Sequence, residues 1–254
     1  MRSRTIVLAL AALAAAPATA AFPDDEVHTE GIGGPGEVRW NLHATATPSG
    51  RSMPDYPGEI VPAHGWRLVA SVSRGLAAGI EAGASIPIAW GPGASARAGA
   101  KVNLKWMPLR VDERGRGAYA GVNLEYAWLP PALEPVMRGF EVRPIFGWRG
   151  AEWRAAVNPI LSFDLSGPGR GARPALSPGL KIARRVAEGI DAGVEYYADL
   201  GPVGRFAPRS EQAHVAYLAL DVDRPPWTFN FGLGRGVSGS ADRWTVKWFV
   251  DLPF

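Results

Sequence analysis

The sequence predicts an all-β protein, a single antiparallel transmembrane β-barrel of about twelve strands with both termini periplasmic. Three observations carry that expectation. The chain opens on an export leader, apolar and polar residues then alternate along most of its length, and tryptophans gather at the ends of the alternating segments.

The leader has a basic start at Arg2 and Arg4, an apolar run from Ile6 to Ala16, and an Ala-x-Ala site at Ala18-Thr19-Ala20. This is the pattern of a cleaved signal peptide. Its apolar run is shorter than the roughly 20 residues a spanning helix needs. A lipid anchor at the cut would require cysteine, and the chain has none. The expected organisation is therefore a signal peptide over 1–20, a flexible periplasmic lead-in over 21–36 and the barrel over 37–254.

Period-two alternation is the signature of strands. Taken in chain order, Val102, Leu104 and Trp106 alternate with Lys101, Asn103 and Lys105. Val122, Leu124, Tyr126 and Trp128 alternate with Asn123 and Glu125. Phe140, Val142, Phe146 and Trp148 do so with Glu141, Arg143 and Arg149, and Trp153, Ala155, Val157 and Leu161 with Arg154, Asn158 and Ser162. Ile190, Ala192, Val194, Tyr196 and Ala198 oppose Asp191, Glu195, Tyr197 and Asp199, while Trp227, Phe229, Phe231 and Leu233 oppose Thr228, Asn230 and Gly232. The last strand puts Trp244, Val246, Trp248, Val250, Leu252 and Phe254 on one face and Thr245, Lys247, Phe249 and Asp251 on the other.

Alternation alone fits a soluble sandwich as well as a membrane barrel. Tryptophan position separates them. Trp40, Trp66, Trp90, Trp106, Trp128, Trp148, Trp153, Trp227 and Trp244 fall at or near strand ends, and only Trp248 is more central. A soluble core concentrates bulk in the middle of its strands. Two membrane interfaces instead call for indole rings at both ends, with the ring in hydrocarbon and its N–H towards water.

With the first strand starting near Val38 on the periplasmic side, connections of unequal length follow one another. Outer loops are expected at 47–63, 91–95, 130–138, 166–174, 201–211 and 235–242, and periplasmic turns at 73–79, 111–117, 149–151, 184–189 and 224–226. The segments 73–83 and 183–193 echo each other, both centred on a periplasmic turn with Gly followed by Ile and an acid, which shared hairpin chemistry explains. Pro87, Pro144, Pro159 and Pro178 fall inside expected strands. A closed barrel has no edge to hide a missing donor, so bulges or irregular pairing are expected there.

Composition narrows the function. Formal net charge is +3, of which Arg2 and Arg4 in the leader supply two units, and only Arg184-Arg185 sets two basic residues side by side. No nucleic-acid surface follows. The absence of cysteine excludes thiolate metal sites, and no cofactor is expected. Asp24-Asp25-Glu26-Val27-His28-Thr29-Glu30 is read as a solvated acidic tail rather than a cation site, and the glycines of 31–36 lack the Lys-Ser/Thr of a phosphate loop. Of the histidines, His28, His43, His64 and His214, none has Ser two residues later. His43 with Ser71 is the one pairing a lipid hydrolase of the phospholipase A type could use. No catalytic residue is assigned.

What remains is the polar face. Arg97, Lys101, Lys105, Asn123, Glu125, Glu141, Arg143, Arg154 and Glu195 are the expected lumen-lining residues. With mixed signs so close, Lys101 and Lys105 should meet Glu125 across a hairpin. Such a face can form a polar conduit that selects solutes, or an ion-paired lumen that only holds the barrel together.

The segments Gly65 to Pro87, Gly99-Ala-Lys-Val-Asn-Leu-Lys-Trp106 and Gly193-Val-Glu-Tyr-Tyr197 resemble the outer-membrane barrel family of putative meta-pathway phenol degradation proteins. The resemblance implies a transport barrel, with hydrophobic or aromatic molecules among its solutes. The sequence thus points to an outer-membrane channel or uptake protein for small solutes, against a lipid hydrolase or a non-conducting structural surface barrel. Its expected partners are outer-membrane lipid, the small solute, and the barrel-insertion machinery, which would read the last strand ending in Phe254.

Overall fold

The computed structural model describes residues 25–253. The expected signal peptide over 1–20 and Phe254 lie outside the described residues, as do 21–24 of the expected lead-in. Thirteen strands appear among the described residues: β1 (Val38–Ser49), β2 (Trp66–Ala77), β3 (Ile80–Gly91), β4 (Ala94–Ala98), β5 (Ala100–Leu109), β6 (Gly117–Trp128), β7 (Arg138–Arg149), β8 (Trp153–Asp164), β9 (Ala175–Ala187), β10 (Ile190–Asp199), β11 (Ala213–Arg224), β12 (Trp227–Gly236) and β13 (Trp244–Pro253). Among the described residues no helix is long and apolar enough to cross a membrane.

Every neighbouring pair is antiparallel, and β13 returns to β1 with Trp40 opposite Leu252 and Ala44 opposite Trp248. β2 pairs with both β1 and β3, so the sheet has no free edge apart from the short β4. Closure pairs strand with strand all round the wall, as hydrocarbon requires, with a gap between β7 and β8 where 143–145 and 158–160 do not pair with each other. Twelve strands make the ring, as the alternation predicts, and β4 is an addition to it. The strand expected between the loop at 91–95 and the turn at 111–117 is cut at Gly99, whose N–H turns to the carbonyl of Pro87 at 2.8 Å. β4 then pairs only with β3 and is exposed throughout, extending the β3–β5 hairpin beyond the wall.

The ends of the barrel differ as expected. One end carries the two-residue turns at Ala78-Gly79, Glu188-Gly189 and Pro225-Pro226, the connections 110–116 and 150–152, the start of β1 and the end of β13; the other carries the connections 50–65, 129–137, 165–174, 200–212 and 237–243. The length rule makes the first end periplasmic. The echoing segments resolve into matched turns, with Gly79 at φ 77° and Gly189 at φ 65°, a conformation glycine adopts without penalty. Each turn sends the following acid, Glu81 or Asp191, into the interior, where both are buried.

Burial is inverted relative to a soluble protein. Leu218 is 69% exposed, Trp128 61% and Trp106 52%, whereas Lys247, Lys101 and Arg143 are each 3% exposed or less. Apolar side chains coat the outside, where lipid meets them, and charge is held within.

Candidate functional site

The lumen is lined by side chains that the strand period turns inward. On β5 and β6, Lys101 Nζ meets Glu125 Oε1 at 2.9 Å, the cross-hairpin pairing expected from the sequence, and Asn103 Nδ2 donates to Asn123 Oδ1 at 3.0 Å. Lys105 departs from that expectation. Its ammonium donates to the carbonyl of Gly31 at 2.6 Å. Arg143 Nε pairs with Glu141 Oε1 at 2.9 Å on β7.

The largest charged group lies across β8 to β13. Lys181 bridges Glu195 at 3.0 Å and Asp221 at 2.7 Å, and Lys247 also pairs with Glu195. Tyr197 Oη donates to Glu195 Oε2 at 2.6 Å, and the Lys247 ammonium lies 5.0 and 4.9 Å from the ring centres of Tyr197 and Tyr217. Towards the periplasmic end, Arg154 pairs with Asp191, and Arg39 with Asp251. Asp221, Asp251, Glu81 and Tyr217 do not figure among the lining residues expected from the sequence. Asp251 carried a signal, since it lies on the polar face of the last strand.

Residues 25–34 enter this lumen. The sequence reads them as a flexible periplasmic lead-in; the structure instead shows a strap hydrogen-bonded along the inner wall. At the periplasmic rim the Gly33 N–H donates to Glu81 Oε2 at 2.8 Å, and the adjoining Gly36 N–H donates to the carbonyl of Gly75 at 2.8 Å. Further in, Glu30 pairs with Arg149 and Gly31 is held by Lys105. At mid-height Asn158 grips His28 twice, accepting from its N–H at 2.6 Å and donating to its carbonyl at 3.1 Å. Arg143 Nη1 donates to the carbonyl of Glu26 at 3.2 Å, Tyr217 to the Asp25 carboxylate, and Lys247 to the Asp25 carbonyl. An acidic, glycine-rich segment in water has no reason to order. Here the inward-facing cations and Asn158 supply partners for its carboxylates and backbone, while Val27 packs with Met107, Tyr119, Ile145 and Ala156.

Two cavities flank the strap. One of about 390 Å³ opens among Arg39, Asn41, Glu81, Asp191, Asp223 and Asp251 in the periplasmic half. The other, of about 220 Å³, lies in the outer half among Thr45, Arg67, Glu134, Glu141, Ser177 and Asp199. Asp25 borders both.

Above the outer cavity the long connections fold over the mouth. The Ile60 N–H donates to the carbonyl of Ala132 at 2.9 Å, and Ile60 and Leu133 join Val69, Ala89, Ala127 and Leu129 in an apolar cluster. Arg51 pairs with Asp55 at 2.8 Å and Glu59 at 2.9 Å, and its N–H reaches Asp242 Oδ1 at 3.0 Å. Burial pushes the Glu134 carboxyl in this cover well above the usual carboxylate range.

Of the nine expected lining residues, Lys105, Asn123, Glu125, Arg154 and Glu195 border the periplasmic-side cavity, and Glu141 and Arg143 the outer one. Lys101 is buried against Glu125. Arg97 stands apart on exposed β4, because the break at Gly99 takes it out of the wall. His43 packs edge-on to Phe249 with ring centres 6.0 Å apart, and its Nε2 lies 3.4 Å from Thr45 Oγ1. The register puts Val69 opposite His43 and sets Ser71 against Asn41, so the one candidate hydrolase pair is not side by side.

No family model and no curated protein matches the sequence. Among solved structures the fold is similar to the COG4313 outer membrane channel from Pseudomonas putida F1, at 11% identity and TM-score 0.59, over 91% of this chain and 99% of that one. It is similar to the KdgM porin at 9% identity and TM-score 0.56, over 85% and 99% of the two chains. The NanC porin follows at 8% identity and TM-score 0.54, over 85% and 98%. Closure into twelve strands, an apolar exterior and these neighbours define the class: the protein is an outer-membrane β-barrel of porin-like architecture. It is a protein of the bacterial outer membrane.

Proposed function

We infer that the protein is a channel or uptake barrel for small solutes whose passage is closed at rest by its own N-terminal segment. The observation that carries this reading is the arrangement of residues 25–34. They form a single strap, held by side chains, with one cavity on its periplasmic side and another on its outer side. A barrel serving only as a scaffold has no use for a cavity on each side of a strap; a gated conduit does. The resemblance to phenol-degradation barrels supports small solutes that include hydrophobic or aromatic ones.

Planar-bilayer recording on the purified protein tests the proposal. Small, fluctuating conductance is expected, shifting towards cations in Lys105→Glu, because that side chain borders the periplasmic-side cavity and meets passing ions at short range. Absence of conductance in both forms, with lower heat resistance in the variant, would leave a structural barrel as the better account.

A further inference from the structure

Charge is arranged differently in the lumen and on the outer end of the barrel. Inside, Lys101, Arg143, Arg154 and Lys181 each face a carboxylate. On the outer end, Arg138 at the start of β7 and Arg235 near the end of β12 are exposed. So are Arg170 and Arg173 in the connection 165–174, Arg205 and Arg209 in 200–212, and Arg243 just before β13. None of these arginines has an ion pair among the described residues. Glu211 is the one exposed carboxylate in the connections that carry them. The periplasmic end is balanced by comparison: Arg114 follows Asp112 and Glu113, Arg184 pairs with Glu152 at 3.1 Å, and Arg224 follows Asp223.

The unpaired arginines lie on one contiguous arc. β7 to β13 are successive neighbours in the wall, and their outer connections are tied to one another. The Arg138 N–H donates to Ser166 Oγ at 2.9 Å, and the Leu165 N–H to the Arg138 carbonyl at 2.9 Å. Arg173 donates to the carbonyl of Val203 at 3.3 Å, and the Val203 N–H to the carbonyl of Pro174 at 2.9 Å, which brings Arg173 beside the segment carrying Arg205. Ser240 Oγ donates to the carbonyl of Ser210 at 2.6 Å. Across the barrel, the connection 50–65 keeps its arginine, Arg51, paired with Asp55 and Glu59.

Two features turn this arc towards the membrane. Arg138 is the register partner of Trp128 and Arg235 that of Trp244, whose ring centre lies 4.8 Å from the Arg235 guanidinium carbon. By the strand period both arginines and both indoles face outward, at the depth of the outer aromatic girdle. Exposed Met137, Leu165, Val203, Phe206 and Val237 are interleaved with the arginines. Like charges fixed along one strip repel, and an anion between them turns repulsion into attraction. The guanidinium fork takes phosphate oxygens two at a time. A free phosphate has no use for the apolar side chains, whereas an acylated one buries its chains against them.

We propose that the arc from Arg138 to Arg243 is a docking surface for the phosphorylated glycolipid of the outer leaflet, its arginines taking the phosphates and the interleaved apolar groups the upper ends of the acyl chains. Immersion in hydrocarbon requires only the apolar coat; the arc selects a headgroup. It does so independently of conduction, since Arg138 and Arg235 point away from the lumen.

Lipid A provides the test, because its phosphates can be removed without altering its chains. The purified protein in neutral detergent is titrated with bisphosphorylated lipid A, with the same lipid dephosphorylated, and with inorganic phosphate, and bound lipid is counted by native mass spectrometry. The bisphosphorylated form should bind roughly tenfold or more tightly than the dephosphorylated one, and inorganic phosphate at equal concentration should not displace it. Combining Arg138→Gln, Arg170→Gln, Arg205→Gln and Arg235→Gln should abolish the preference. These side chains make no hydrogen bond or ion pair among the described residues, so the fold does not depend on them. Combining Arg74→Gln, Arg110→Gln, Arg114→Gln and Arg116→Gln removes the same charge at the periplasmic end and should leave the preference intact. Equal affinity of the native protein for the two lipids would overturn the proposal without recourse to any variant, and so would an equal loss in the periplasmic set. Inorganic phosphate binding as tightly as the lipid would also overturn it, leaving a plain anion site.

Discussion

Glu195 sits between two ammonium groups, Lys181 and Lys247, and accepts from Tyr197 as well. Its replacement leaves two buried cations facing each other. Glu195→Gln should therefore lower unfolding stability by about 3–5 kcal/mol, the cost of breaking a buried pair from one side; denaturation in detergent would measure it, and an unchanged midpoint would contradict this network. Glu134 in the mouth cover makes the opposite kind of prediction. Its folded-state pKa is raised by burial, so the protonated form is the one that packs. The stability it lends is fully present below the unfolded carboxylate value and is lost as pH rises through the folded one. Amides of 129–137 should thus exchange faster as pH is raised, beyond the intrinsic chemical trend, and Glu134→Gln should abolish that excess. Gly75 is constrained by approach instead: a Cβ there would collide with the Gly34 carbonyl. Gly75→Val should dislodge the strap at the rim, seen as protease cleavage within 25–34 in the variant and not in the native protein.

The strands follow from alternation, and their faces can be probed one residue at a time. Leu218 lies on β11 between Val194 and Leu233, pointing to lipid. Leu218→Arg should cost about 2–4 kcal/mol, the penalty for a cation near the bilayer midplane; a lumen position such as Asn230 should tolerate the same change better. Strand elements were readable in the sequence because a closed wall imposes its two-residue period along most of its length. Two elements were not. The cut at Gly99 depends on Pro87 of the neighbouring strand, and a partner's proline leaves no mark on the local pattern. The strap was unreadable for a similar reason: 25–34 has no periodicity, and its order comes from partners distant in sequence, chiefly Lys105, Arg143, Arg149, Asn158 and Lys247. Those residues were visible as a polar face, but what they hold was not. The prolines stood out in the sequence as defects, and only the register shows that Pro144, Pro159 and Pro178 form a row across neighbouring strands.

At the scale of the molecule, the barrel is a polar interior wrapped in an apolar coat, closed outside by the folded connections and inside by the strap. Its class was legible from the alternation and the tryptophans, because membrane depth constrains both. Its state was not, since an open and a closed lumen share one strand pattern. The account's central claim is that the strap closes a conduit. Val27→Cys with Gly179→Cys places two thiols where the strap meets the wall, and the bond between them can be made and broken in the same bilayer. Oxidised protein should remain silent, and reduction should bring conductance that fluctuates as the strap leaves and returns. Equal conductance in the oxidised and reduced states would contradict the account.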